Sequence, residues 1–313
     1  MRFARRLATV TLLAAGLLVL TGPAAQAAYY NTYTTIAGTP DTGCCTGVQG
    51  FAAGSTYLYS IKNHSGYDDV SAIYRVHKTT GARVLMTNGT NGGTSNTWLG
   101  HANDMTIVDI DGQHHMFVVT MKSTGAQLVK LRYDGTTYYR VGTYQVHLNG
   151  AAWAPSGISR VSVSSTTIKF LFKAGKTIYN GSLPLRANTG TINVTKAFTL
   201  QVEGALVNGA TVSDLGTFLT QGIYYDAAKK ILYYPLTKEN RSVVLVYRNV
   251  STATTGTAPA ATNLSFRITS SAYSKLFEIE GVGISDGKLY FSTNRANSSG
   301  AFDGVHVFNG YVA

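Results

Sequence analysis

A repeat of about 58 residues is the feature that most restricts the fold of this chain. Five segments resemble one another, and each reads as an apolar strand, a tight turn and a second strand that ends in polar residues. The segments are residues 50–63, 103–123, 157–175, 222–240 and 281–297. One apolar marker in each second strand recurs at intervals of 54 to 62 residues; the markers are Tyr59, Phe117, Leu171, Tyr233 and Tyr290. A period of this size, with several strands per repeat, is typical of a propeller-like array.

The strand pattern predicts an all-β fold, a five-bladed β-propeller closed by pairing of its N- and C-terminal strands. Third strands follow most markers, and Gly81 and Gly135 stand at hairpin positions that need a positive φ. The last repeat is short of strands, and residues 29–38 can supply its outer strand. Closure of this kind covers sheet edges that would otherwise aggregate. A large β-sandwich, or a pair of sandwiches, is the alternative.

The N-terminus has the features of a secretory signal peptide. Three arginines precede an apolar run from Leu7 to Leu20, and residues 25–27 show the small-x-small pattern of a cleavage site. The run is shorter than the roughly 20 residues that span a membrane. We therefore expect residues 1–27 to be a signal peptide and residues 28–313 to be a single propeller domain, secreted by a bacterium, without a membrane span.

The charge of the chain is positive but dispersed. Lys and Arg number 26 against 15 Asp and Glu, for a net charge of +11. The basic residues form no run like those of nucleic-acid-binding arms, so no nucleic-acid partner is expected. A mildly basic secreted protein is attracted to anionic cell surfaces and wall polymers, without specificity of its own.

Polar residues stand just before the apolar part of the first strand in every repeat. In chain order they are Gln49, Asp104, Ser156, Gln221 and Glu280. Because the first strands of a propeller line its central channel, these residues are expected to form a polar ring at one mouth of it. Such a ring suits the recognition of hydroxyl groups. The alternative is that its members bond neighbouring blades and hold the ring together.

The segment from Thr97 to Met105 is the densest in functional residue types. Trp98 can present a flat apolar face to a sugar, with donors and acceptors beside it. The alternative is a structural loop, in which Trp98 packs inward and Asp104 caps backbone groups. Together with the ring, this segment gives the predicted ligand-binding residues Gln49, Trp98, His101, Asn103, Asp104, Gln221 and Glu280.

The chain has two cysteines, and they are adjacent at Cys44 and Cys45. Thiols of exported proteins rarely stay reduced, so we expect a disulfide between them. The closed ring contains no intervening residue and adds little stability through loop closure. Its use would be a rigid apolar shape that stacks on a sugar or fixes a binding loop near the polar ring. Two small buried thiols, or a bridge to another chain, are the alternatives.

Motifs of the common enzyme classes do not occur in the sequence. There is no GxSxG, HExxH, Walker or dinucleotide-binding pattern, and no cofactor or metal is predicted. Glycosidases need two carboxylates across the scissile bond. Asp104 and Glu280 are the pair that the ring would offer as catalytic residues, so the sequence leaves enzymatic activity open.

Two sequence blocks resemble the helveticin J-like family. They are CCTGVQGFA from Cys44 and LGHANDMTIV from Leu99, and the resemblance runs from about Thr42 to Leu200. It implies a secreted bacterial protein of the class III or lectin-like bacteriocins, with a propeller-like body that binds glycans or cell-wall surfaces. It carries over no catalytic residues.

These observations predict a secreted, lectin-like protein that recognises cell-surface or cell-wall glycans. Its expected role is interbacterial antagonism, as a bacteriocin or as the targeting subunit of a toxin, with other secreted toxin subunits as candidate partners. The alternatives are a glycoside hydrolase or lyase acting on wall or capsule polysaccharide, and a scaffold subunit of a secreted complex.

Overall fold

The protein is built from β-strands, which confirms the predicted all-β class. The computed structural model describes residues 28–64 and 67–313, so the predicted signal peptide lies outside the described residues. One short 3-10 helix, Leu215–Thr217, accompanies the strands in that part of the chain. None of the described residues forms a helix long and apolar enough to cross a membrane.

The longer strands of the described residues fall into five groups that follow the sequence repeats. Group 1 comprises Gly47–Ala53, Tyr57–His64, Tyr67–His77 and Arg83–Leu85. Group 2 comprises Asp104–Ile110, Gln113–Val119, Leu128–Asp134 and Thr137–Leu148. Group 3 comprises Gly157–Val163, Thr167–Ala174, Thr177–Pro184 and Thr189–Leu200. Group 4 comprises Tyr224–Asp226, Ile231–Lys238, Arg241–Arg248 and Leu264–Thr269. Group 5 comprises Leu276–Ser285, Lys288–Asn297, Gly304–Phe308 and the N-terminal strand Tyr33–Gly38.

Short strands pair with these longer ones or with each other. They are Ala28–Tyr30, Thr87–Asn88, Ser95–Asn96, Ala151–Ala152, Leu206–Val207, Ala210–Thr211, Leu219–Thr220, Thr257–Ala258 and Gly300–Ala301. Within each group, strands that follow one another in the chain pair antiparallel. The N-terminal strand of group 5 also pairs antiparallel, but its partner lies at the other end of the chain. All five sequence markers lie in second strands, as the repeat predicts.

Several outer strands are covered by pairing with other parts of the chain. Tyr33–Gly38 pairs antiparallel with Gly304–Phe308, so the predicted pairing of N- and C-terminal strands is present. The outer strands of groups 2 and 3 pair in parallel, which joins both groups into one 11-stranded sheet. Pairing of this kind satisfies backbone groups that an open edge would expose.

The first strands of the five groups contact one another in sequence, and the series closes between groups 5 and 1. They approach closely, since a Cβ added to Gly281 would lie 2.7 Å from Cβ of Phe51 on the neighbouring first strand. We call the end at which the first strands begin the entrance, and the end at which they finish the exit.

The core consists of apolar layers between neighbouring groups. In the second strand of group 3, Phe170 and Phe172 belong to the layer shared with group 2, whereas Leu171 belongs to the layer shared with group 4. This alternation follows from the two-residue period of a strand, which sends successive side chains to opposite faces. Each sheet is therefore buried on both faces.

Tight hairpins connect the first and second strands. Asp111–Gly112 and Asp286–Gly287 both have positive φ at their two residues, the geometry of a type I′ turn. The predicted positive φ values at Gly81 and Gly135 are also present, at 70° and 56°. Short turns of fixed geometry hold the ends of the first strands in place around the exit.

Candidate functional site

Asp104, a residue of the predicted polar ring, connects strand groups 2, 3 and 4 through hydrogen bonds. Its side chain is buried, and Oδ1 accepts a hydrogen bond from Met105 N at 2.9 Å. Oδ2 accepts bonds from Ile158 N of group 3 and Ile223 N beside group 4, both at 2.9 Å. Burial raises the pKa of Asp104 to about 7, against the opposing effects of these bonds and of the Lys173 ammonium.

Glu280 lies in a second buried network at the entrance. Asn294 Nδ2 donates to Glu280 Oε1 at 2.6 Å and to Glu278 Oε2 at 3.2 Å, and it also donates to the Val48 carbonyl of group 1. Gln221 Nε2 donates to Glu278 Oε1 at 2.8 Å. Burial first, and the charge of Glu278 second, raise the pKa of Glu280 well above its ordinary value. This network links groups 1, 4 and 5.

Trp98, Asn103 and Ser156 also bond or pack within the protein. Asn103 Nδ2 donates to the Ser156 carbonyl at 2.6 Å, and Ser156 Oγ donates to the Lys173 carbonyl. Trp98 is half-buried, with its ring edge-on to Tyr138. These contacts fit the structural-loop alternative for this segment and leave Trp98 outside the two cavities described next.

A cleft of about 320 Å³ opens at the entrance. Gln49 and His101, two of the predicted residues, line it together with Glu278 and Arg295, which are not among the predicted residues. Gln49 Oε1 is buried without a hydrogen-bond partner among the described residues. The cleft therefore brings together part of the predicted set, while Asp104 and Glu280 are buried and do not line it.

The cysteines form the predicted disulfide, in a turn just before Gln49. Thr42 Oγ1 accepts hydrogen bonds from the backbone N–H groups of both Cys44 and Cys45. Lys62, fully buried below the turn, donates to Thr39 O at 3.0 Å and to Asp41 Oδ1 at 2.6 Å. The turn is therefore fixed by side-chain and backbone bonds as well as by the disulfide.

A larger cavity, of about 500 Å³, lies at the exit, the opposite end of the closed series of first strands. We call it the exit cavity. Its lining includes the far ends of the first strands and the turns that follow them. Four tyrosines, two arginines, one histidine and one carboxylate contribute to it; they are Tyr57, Tyr133, Tyr224, Tyr225, Arg75, Arg160, His114 and Asp109. None of these residues is among those predicted from the sequence, because none stands at a position of the predicted polar ring or in the segment Thr97–Met105.

The side chains of the exit cavity are held in place by one another. The Arg75 guanidinium lies 4.1 Å from the centre of the Tyr57 ring and donates to the Gly135 carbonyl. The His114 ring stacks on Tyr133 with 5.6 Å between centroids, and its Nδ1 lies 3.5 Å from Asp109 Oδ2. A preformed arrangement of aromatic faces and planar polar groups results.

Tyr224 closes the side of the exit cavity formed by group 4. Burial raises the pKa of its phenol to about 12, so the hydroxyl stays protonated at neutral pH and can donate a hydrogen bond. No group of three or more His, Cys, Asp or Glu side chains placed to hold a metal ion occurs among the described residues. The exit cavity offers stacking, donors and acceptors to a ligand.

Comparison with known proteins finds similar solved structures at low sequence identity. No protein-family model and no curated protein sequence matches the chain. One similar solved structure is an engineered GH43 glycoside hydrolase with endo-xylanase and exo-arabinofuranosidase activity (TM-score 0.49, 10% identity), and it covers 84% of this chain and 50% of that one. The chain thus spans half the length of that enzyme.

Two further solved structures are similar over most of the chain. One is a nidogen/laminin complex, with a TM-score of 0.37 and 13% identity, covering 83% of this chain and 79% of that one. The other is a tail fibre of a Staphylococcus aureus phage, with a TM-score of 0.45 and 12% identity, covering 89% and 52%. Similarity at this level assigns no function.

Proposed function

We propose that this protein is a five-bladed β-propeller that binds carbohydrate in its exit cavity. The five strand groups and the closed series of first-strand contacts support the blade count. The observation that carries the binding function is the lining of the cavity, where tyrosines occur together with arginine, histidine and aspartate side chains.

A sugar presents apolar C–H faces and a rim of hydroxyl groups. Aromatic rings such as those of Tyr57 and Tyr224 pack against the faces, while guanidinium, imidazole and carboxylate groups bond the hydroxyls. A volume of about 500 Å³ lies within the range of ligand pockets in proteins, roughly 300–1,000 Å³. Because rigid strands and short turns carry these side chains, little ordering is needed on binding.

Binding is favoured over hydrolysis by the placement of the carboxylates. Hydrolysis of a glycosidic bond needs two carboxyl groups facing each other across it. Among the described residues, Asp109 is the one carboxylate that lines the exit cavity. The predicted pair, Asp104 and Glu280, is buried and bonded to other parts of the protein.

The proposal includes a biological setting. The signal-like N-terminus and the resemblance to the helveticin J-like family support secretion and a cell-surface or cell-wall glycan as the partner. In that setting the protein acts in interbacterial antagonism, as a bacteriocin or as the targeting subunit of a toxin. Single sugar sites are weak, and several sites on one polymer raise the avidity.

A glycan array and purified cell walls, with the mature protein and two variants, test the proposal. Tyr57→Ala removes an aromatic wall of the exit cavity and is expected to weaken binding about tenfold or more. Gln49→Ala is the matched change in the entrance cleft and is expected to leave binding unchanged. Loss of glycan binding in Gln49→Ala but not in Tyr57→Ala would place the binding site in the entrance cleft. Absence of glycan binding would refute the proposal, and shortened oligosaccharide products would favour the hydrolase.

A further inference from the structure

The exit cavity has a charge pattern that recognition of neutral hydroxyl groups does not require. Two guanidinium groups, of Arg75 and Arg160, line it against the one carboxylate of Asp109. Asp109 already faces the His114 imidazole, and Arg75 is committed to the Tyr57 ring and the Gly135 carbonyl. The positive charge left for a ligand is therefore that of Arg160.

Arg160 differs from the other charged side chains of the cavity because its guanidinium is uncommitted. Its backbone N–H donates to Thr106 Oγ1 at 3.2 Å, which fixes the main chain. Among the described residues the guanidinium itself has no hydrogen bond, ion pair or ring contact. The side chain is exposed and belongs to the cavity lining, so its guanidinium is accessible to a ligand.

An irregularity in the strand at Arg160 affects the direction of its side chain. The pairing register between the first and second strands of group 3 shifts between Arg160 and Ser162. A bulge of this kind re-aims a side chain and is common next to binding sites. Tyr224 lies on the neighbouring first strand, that of group 4, and its phenol is close enough for the Arg160 charge to oppose the rise in its pKa caused by burial. An aromatic face and a free guanidinium thus converge.

We propose that the exit cavity selects acidic sugars and that Arg160 binds their anionic group. A guanidinium presents five donors in a plane that matches two oxygens of a carboxylate or a phosphate. The ligand class is therefore a sugar with a carboxylate, as in uronic acids, or a phosphate, as in phosphate-linked wall polymers. This inference rests on the proposed carbohydrate-binding function, and it adds the charge of the ligand.

The test compares an acidic oligosaccharide with its neutral ester, and adds a phosphate polymer as a second anionic ligand. Binding of the mature protein to oligogalacturonate, to its methyl ester and to a poly(glycerol phosphate) chain is measured by titration calorimetry at low and high salt. Arg160→Gln removes the guanidinium and should weaken binding of the acidic ligands about tenfold or more while leaving the methyl ester unaffected. Arg248→Gln removes an equal charge from an exposed position outside the cavity lining and should change neither.

The outcomes separate this inference from the function on which it rests. Preference for either acidic probe, lost in Arg160→Gln and weakened by salt, supports the inference, and the preferred probe identifies the anion as carboxylate or phosphate. Equal binding of acid and methyl ester, unchanged in Arg160→Gln, overturns the inference and leaves carbohydrate binding standing. Failure of the wild-type protein to bind any glycan overturns both.

Discussion

Replacing Asp104 with alanine is predicted to destabilise the whole ring. The carboxylate is the common acceptor of three backbone N–H groups, those of Met105, Ile158 and Ile223. These residues lie in or beside the first strands of groups 2, 3 and 4, and all three are buried. Alanine leaves their N–H groups without this acceptor in a site closed to bulk water.

The size of the loss follows from the number of donors. A buried donor without a partner costs about 1–3 kcal/mol, and an ordered water in the vacated polar space recovers part of it. Three donors therefore give a loss of about 3–5 kcal/mol in the free energy of unfolding. That is a large share of the stability of a typical domain, about 5–15 kcal/mol. For a chain of this length it lowers Tm by about 6–20 °C.

The Asp104→Asn variant separates the hydrogen bonds from the charge. Its amide oxygen keeps the acceptor for Ile158 and Ile223, while its NH₂ group faces the Met105 N–H and loses that bond. The folded-state pKa of about 7 stands above the ordinary 3.8, so the folded protein binds an extra proton between those values. The stability contributed by protonated Asp104 is complete below about pH 4 and is lost as the pH rises through about 7.

Equilibrium urea unfolding of wild type, Asp104→Ala and Asp104→Asn from pH 4 to pH 8 measures both effects. Over this range the wild type should lose stability with rising pH relative to Asp104→Asn, by up to about 4 kcal/mol. Glu203→Ala is the control, because Glu203 is exposed and paired with Lys176, and it should cost less than about 1 kcal/mol. A loss below 1 kcal/mol in Asp104→Ala would refute the argument that this carboxylate holds the ring.

Three further predictions concern stability and use the same unfolding assay. Gly281→Ala should lower the free energy of unfolding by about 1–3 kcal/mol, because its Cβ would lie 2.7 Å from Cβ of Phe51 on the neighbouring strand. Gly43→Ala, with open space around it, should change that free energy by no more than about 0.5 kcal/mol. Equal losses in both variants would contradict the close approach. Lys62→Ala should cost about 3–5 kcal/mol because it leaves the buried Asp303 carboxylate without its cation, and a neutral result would show that the pair is dispensable. Serine at both cysteines should cost less than about 1 kcal/mol, because the disulfide closes no loop; a larger loss would show that it stabilises the turn directly.

Much of the fold could be predicted from the sequence because its signals are local. The alternation of apolar residues around Phe170, Leu171 and Phe172 places them on opposite faces of one strand, whatever lies beside it. Glycines at hairpin positions and the period of the markers repeat the same local rules along the chain. The neighbouring cysteines could be assigned to each other because the N-terminal pattern predicts export, and thiols of exported proteins rarely stay reduced.

The roles of the polar ring could not be read from the sequence in the same way. The sequence places Asp104 and Glu280 at the start of first strands. A carboxylate at that position can accept hydrogen bonds either from a ligand or from a neighbouring strand. In the structure Asp104 bonds to neighbouring strands, because the first strands pack closely enough for its carboxylate to reach backbone N–H groups of groups 3 and 4. Gln49 of the ring and His101 line an open cleft at the entrance instead.

The sequence by itself determined the all-β class, the repeat, the pairing of the terminal strands and the disulfide, since each depends on residues that are close in the chain or on a pattern that recurs along it. Only the tertiary structure decided where an open cavity lies. Tyr57, Arg160 and Tyr224 stand in groups 1, 3 and 4, far apart in the chain, and no local pattern connects them. They share one cavity because closure of the ring brings the far ends of the first strands together, and burial then determines which polar groups remain free for a partner.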